Sequence, residues 1–243
     1  MKTYKSFIVL LLGLLFSSCI VKSLFPFYTE DTISFEKAFL GTWKDIKDPN
    51  NTWIVASVKE YYDEKRKHES TPPSPEDIAT YNKEKDAYFI INEEKDKVAI
   101  FSVMPFKIKG QLFLDFTPIT SNCNCNIDLV NYHQVTTHSL VKFDMTDNDS
   151  VSVKWFSSEK LQHLIETHDL NIKHEKFDSE YLLTASPEEL QKFIKNYMDS
   201  DEEDKWKTDV KYDLVRTENH EKSFEYIKKL ITGMEKLDGI DLN

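Results

Sequence analysis

Glycine is scarce in this chain: five in 243 residues, one of them in the first twenty. The glycine-rich loops that cradle phosphates need several close together, so nucleotide chemistry of that kind is nearly excluded. No G-x-S-x-G and no H-E-x-x-H occurs, and His163, His168 and His174 have no Ser or Cys motif to pair with. Positive charge is also short, at 31 Lys and Arg against 42 Asp and Glu, a formal net charge of −11. Such a surface repels nucleic-acid phosphates and anionic headgroups, so a nucleic-acid partner is not expected. No apolar run reaches the roughly 20 residues of a permanent transmembrane helix.

The longest apolar run, Phe7 to Phe16, follows Lys2 and Lys5 and precedes Ser17, Ser18 and Cys19. A positive start, a short apolar core and small residues are the pattern of a secretory signal peptide, here residues 1–18. Leu15-Phe16-Ser17-Ser18-Cys19 resembles the lipobox of bacterial lipoproteins, in the looser form of the Bacteroidetes group. The resemblance implies cleavage before Cys19 and acylation of its thiol, and three acyl chains exceed what stable anchoring needs. An ordinary signal peptide with a chance cysteine at its end is the alternative. Loss of Lys2 and Lys5, with no acid, takes the net charge from −11 to −13. Ile20 stands where an Asp would imply inner-membrane retention, and Val21-Lys22-Ser23-Leu24 lacks the acidic cluster that resembles a surface-export signal. The resemblance therefore implies an outer-membrane, periplasm-facing lipoprotein.

After Cys19, residues 19–32 read as a lipidated start and spacer, and 33–243 as a single domain. Its β-rich part is 33–156 and its mixed helix and strand part is 157–243. Ala87 to Asn92 and Lys97 to Met104 form one expected hairpin, and Val141 to Trp155, turning at Asp147-Asn148-Asp149, a second. In the second hairpin Val141, Phe143, Val151, Val153 and Trp155 alternate with polar residues, so one face is buried. Val98 to Val103 and Leu112 to Phe116 are apolar on both faces and require cover twice. Ser186-Pro187-Glu188-Glu189 is a helix start, with Leu190, Phe193, Ile194, Tyr197 and Met198 on one stripe. A closing helix carries Phe224, Ile227, Ile231 and Met234. The expected class is α+β: an antiparallel sheet or partial barrel covered by C-terminal amphipathic helices, with a filled core in preference to an open calyx.

Gly41-Thr42-Trp43, after a short helical turn at Ser34 to Leu40, resembles the opening G-x-W of the lipocalin-like β-barrels. That resemblance implies that Trp43 packs on the barrel floor under an arginine from a late strand, and Arg216 stands where that arginine would be. An ordinary core tryptophan is the alternative reading of Trp43.

Cys123 and Cys125 are the two thiols left once Cys19 is lipidated. In an oxidising compartment they form a disulfide across one residue or remain a free pair, and thiols bridging a partner are the second option. With His133 and His138 they make a zinc count, but the C-x-C-x7-H-x4-H spacing fits no finger. The acids Asp199 and Asp201 to Asp204 lack the glycine and the spaced Glu of a calcium loop and read as a solvated linker. No metal, cofactor or catalytic residue is therefore assigned. The function expected is a non-enzymatic envelope module. It would be held to a membrane by lipid and would bind a partner protein or an apolar small molecule. The alternative is an envelope hydrolase or a chaperone-like transport factor whose site shows only in three dimensions.

Overall fold

The structure is a computed structural model that describes residues 20–68, 71–95, 97–119, 134–147, 149–167, 170–178 and 180–238. In chain order its elements are β1 (Lys22–Ser23), β2 (Gly41–Asp45), β3 (Asn51–Ser57), α1 (Val58–His68) and α2 (Pro75–Glu84). Then come β4 (Tyr88–Glu94), β5 (Lys97–Ile108), β6 (Gln111–Pro118), β7 (Ser139–Asp147), β8 (Ser150–Trp155) and α3 (Ser158–Glu166). The chain ends with β9 (His174–Phe177), β10 (Glu180–Leu183), α4 (Pro187–Asp199), β11 (Lys211–Glu218) and α5 (His220–Asp238).

Strands β2 to β8 pair antiparallel in sequence order, and β11 closes the ring between β8 and β2. The result is a closed eight-stranded barrel. This overturns the expected α+β class, in which an open sheet or partial barrel lay under helices: the protein is mostly β. The physical reason lies in the strands that are apolar on both faces. Their inner faces are covered by the far wall of the barrel itself, so no helix is needed there. Inward Val103, Leu114, Val141, Val153 and Leu214 are each at most 3% exposed and join one interior cluster.

Helices serve the outer faces. Outward Phe106, Ile108 and Phe113 pack with Leu190, Phe193 and Ile194 of α4 in a second apolar layer. Outward Ile54, Ala56 and Ile91 pack with Phe224 and Ile227 of α5. The start of α4 is fixed locally: the Ser186 hydroxyl accepts from the Glu189 N–H, and the Glu189 carboxylate accepts from the Ser186 N–H at 2.9 Å. Such a capping box satisfies two otherwise orphaned donors.

The stretch read as a spacer, residues 20–32, runs within the body of the fold. Ile20 bridges Ser157, Val21 donates its N–H to the Phe156 carbonyl, and Ser23 bridges His138. Strand β1 adds to β10 in parallel, making a small sheet with β9. Phe27 is fully buried beside α4, and Ile33 reaches Phe106 near the other end of the barrel. Burying a side chain of that size contributes about 1.5–3 kcal/mol. The strap is thus an integral part of the second layer.

Candidate functional site

Among the described residues one end of the barrel is sealed by a crossing segment, and the other, the mouth, is not. At the sealed end the segment 34–40 crosses the opening, with a 3-10 turn at Lys37–Phe39. Phe39 is fully buried, 5.7 Å from Trp43, 5.5 Å from Tyr88 and 4.6 Å from Phe143 between ring centroids. The Tyr88 hydroxyl donates to the Glu36 carbonyl at 3.0 Å and accepts from the Glu36 N–H at 2.8 Å. Arg216 on β11 lies with its guanidinium 4.1 Å over the Trp43 ring and donates to the carbonyls of Leu40 and Ala38. Gly41 takes φ +139°, and a Cβ there would stand 2.5 Å from Arg216 Nη1. These two sequence-singled residues, Trp43 and Arg216, therefore lie in direct contact, and the glycine before the tryptophan makes room for it.

At the mouth the inward side chains are aromatic. Trp53 lies 5.1 Å from Tyr212 and 6.1 Å from both Trp155 and Phe116, and Phe101 lies 5.4 Å from Phe116. Trp53, Phe116 and Trp155 are buried, while Phe101 and Tyr212 are half-buried at the rim. Among these rings sits a small amide network. Asn51, itself 4% exposed, accepts at Oδ1 from Trp53 Nε1 at 2.9 Å and from Asn92 Nδ2 at 2.7 Å. Trp155 Nε1 donates to the Ser139 hydroxyl at 3.3 Å. The Asn51 Nδ2 donor, the Asn92 Oδ1 acceptor and the Tyr212 hydroxyl have no hydrogen-bond partner among the described residues. Burial pushes the Tyr212 phenol up, and the carboxylates of Glu94 and Asp45 push it further, so it stands as a neutral donor. Chemically this is an apolar shelf with a free donor, a free acceptor and a hydroxyl at its edge.

Two other places compete with the mouth. A cleft of about 990 Å³ lies between α4 and the chain joining α3 to β9, lined by Leu164, Ile172, Phe193 and Tyr197. Two of its polar groups are engaged: the Tyr197 hydroxyl donates to the Lys205 carbonyl at 2.6 Å, and Glu202 pairs with Lys160 at 2.5 Å. Asp201, Glu202 and Glu203 of the acid run line this cleft. The second place is an acid–histidine pair. Buried Asp115 meets His138 Nδ1 at 2.7 Å, and its other oxygen accepts the Phe27 N–H at 2.7 Å. The nearby Ser23 hydroxyl donates to the Leu183 carbonyl and accepts from the Phe25 N–H. With its hydroxyl so engaged, the pair latches the strap to β6 and has the geometry of a fastening rather than of a nucleophile and base. Among the described residues, no group of three or more His, Cys, Asp or Glu is placed to hold a metal ion.

Cys19, Cys123 and Cys125 lie outside the described residues, as does His133. The mouth residues Asn51 and Asn92 were missed by sequence reasoning. Their signal was alternation: Asn51, Trp53 and Val55 share one face of β3, and Asn92 opposes Trp53 on β4. No protein-family model, no curated protein and no solved structure matches this chain.

Proposed function

We propose that this chain is an outer-membrane lipoprotein, anchored through Cys19 and facing the periplasm, with a barrel that resembles the lipocalin-like type. It acts without catalysis, as a binding module whose ligand enters the barrel mouth. The ligand is an amphipathic or apolar molecule, or an apolar segment of an envelope partner. Its apolar part lies on Trp53, Phe101, Phe116 and Trp155, and its polar group meets Asn51, Asn92 and Tyr212. The observation that carries this reading is the Asn51–Asn92–Trp53 network, which leaves one donor and one acceptor unpaired beside half-buried rings. Both groups are open to solvent at the rim, where the polar end of a ligand can take the place of water. The filled interior below, with Val103 and Leu114 fully buried, favours a shallow seat over a deep calyx.

Titration of the purified processed protein with a fluorescent fatty-acid probe tests this. Saturable binding at micromolar levels is expected, abolished by Phe101→Asp. Asn92→Leu should weaken it about tenfold, the equivalent of ~1.4 kcal/mol. The control Ile78→Asp, on α2 at the sealed end, should leave binding unchanged. Absence of saturable binding, or binding indifferent to both mouth variants, contradicts the reading.

A further inference from the structure

We infer that the barrel mouth faces the outer-membrane leaflet and rests on it, so that the lipid surface is the partner of this end of the molecule. The inference rests on the anchoring proposed above and adds an orientation to it. Ile20 is built into the mouth rim: it bridges Ser157, just past Trp155, and packs on the barrel-interior cluster beside Val210 and Tyr212. Cys19 is one peptide away, at most about 3.8 Å between Cα atoms. An acylated Cys19 therefore has no tether. Its chains enter the bilayer at the rim, and the rigid body must follow them.

The side chains around that point suit the role. Ile46, Val98, Val135 and Phe177 are 61%, 57%, 70% and 61% exposed. Ile46 follows β2 and Val98 opens β5, both at the mouth. Val135 lies in the segment leading into β7, and Phe177 shares a small pocket with Lys22 and Thr137. By register Phe177 opposes Glu180, whose carboxylate accepts from Lys22 Nζ at 2.9 Å, two residues from Ile20. Among the described residues the sealed end offers fewer: Ile78 of α2, 44% exposed, and Val215 of β11, 36% exposed. Charges of both signs stand at the mouth, Lys47, Lys95, Lys97 and Lys211 among Asp45, Asp48, Glu93, Glu94, Asp209 and Asp213. Headgroup attraction does not drive the contact, which is made by acyl chains and apolar side chains.

The test uses the full-length protein matured in cells, with Cys123→Ser and Cys125→Ser, and one of Val98→Cys, Phe177→Cys or Ile78→Cys. Each is labelled with a polarity-sensitive fluorophore and reconstituted into phosphatidylcholine vesicles carrying a headgroup nitroxide. Mass analysis of the mature N-terminal peptide first establishes whether Cys19 is acylated. An unacylated Cys19 refutes the anchor, and the orientation with it. With acylation in place, labels at 98 and 177 should lose about half their emission to the quencher, as side chains at the headgroup boundary do. The label at 78 should be as bright as in water. Equal emission at all three sites, or quenching confined to 78, overturns the orientation alone and leaves the anchor standing.

Discussion

The guanidinium of Arg216 lies 4.1 Å over the Trp43 ring and, in the same position, donates to the Leu40 carbonyl at 2.6 Å and to the Ala38 carbonyl. One side chain from the last strand thereby closes the barrel seam, roofs the floor tryptophan and ties down the crossing segment. Its further contact with Asp149, 77% exposed, contributes little. Lysine can supply the charge but not a planar fork with two aligned donors. Arg216→Lys should therefore destabilise by about 2–3 kcal/mol, from a weakened cation–π contact and one buried carbonyl left unpaired. A urea midpoint that falls at unchanged slope would show it.

Gly41 is coupled to the same contact. At φ +139°, a Cβ would meet Arg216 Nη1 at 2.5 Å and the Glu218 carbonyl at 2.9 Å. Gly41→Ala should cost about 2–4 kcal/mol, combining a strained backbone with overpacking. Since Arg216 is part of the clash, Gly41→Ala with Arg216→Ala should cost less than the sum of the two. A double-mutant cycle measures the difference.

The amide network at the mouth makes a different demand. Asn51→Ala strips the acceptor from Trp53 Nε1 and Asn92 Nδ2 together. Water can reach the rim, so the loss should be about 1–3 kcal/mol and not double that. A shift of tryptophan emission, with the thermal midpoint, should report it.

Alkaline pH should unfold this protein. Burial, aided by Asp115, Glu84 and Glu30, pushes the Tyr28 phenol up to about 12. Burial also raises Tyr88 and Tyr197, the latter with help from Glu202. Unfolded phenols ionise near pH 10. Below that both states are neutral and stability is full. Above it only the unfolded state releases its protons, so stability falls as pH rises from about 10 to 12. Tyrosinate absorbance should appear in one cooperative step with loss of structure. Tyr197→Phe should make the decline shallower.

Much of the wall was legible from residue periodicity. The Val141–Trp155 hairpin alternates as it reads, and Ser186-Pro187 starts a helix where its capping pattern says. Closure was not legible from periodicity, because β11 joins β2 across some 170 residues; only the G-x-W resemblance, with Arg216 over Trp43, pointed to it. The double apolar faces of β5 and β6 were visible but were assigned to helices, since periodicity shows that a face is covered and not by what. Pro105 also hid four residues of β5, which runs on to Ile108. The proline is tolerated because β4 pairs no further along β5 than Val103, so no ladder bond to β4 is lost there. Residues 20–32 read as a spacer, yet Val21, Ser23 and Phe27 are buried by partners far along the chain. Asn51 drew no reading and Asn92 read only as the end of a strand, because only closure reveals that both face the mouth.

The central claim is that this barrel works at a membrane, held there through Cys19. The most direct measurement is metabolic labelling with a radioactive fatty acid, followed by membrane fractionation, of the natural chain and Cys19→Ser side by side. The account predicts label and membrane association for the natural chain, and for Cys19→Ser an unlabelled protein that is soluble or uncut. A processed Cys19→Ser chain that still partitions with the membrane, or a natural chain without label, would contradict it.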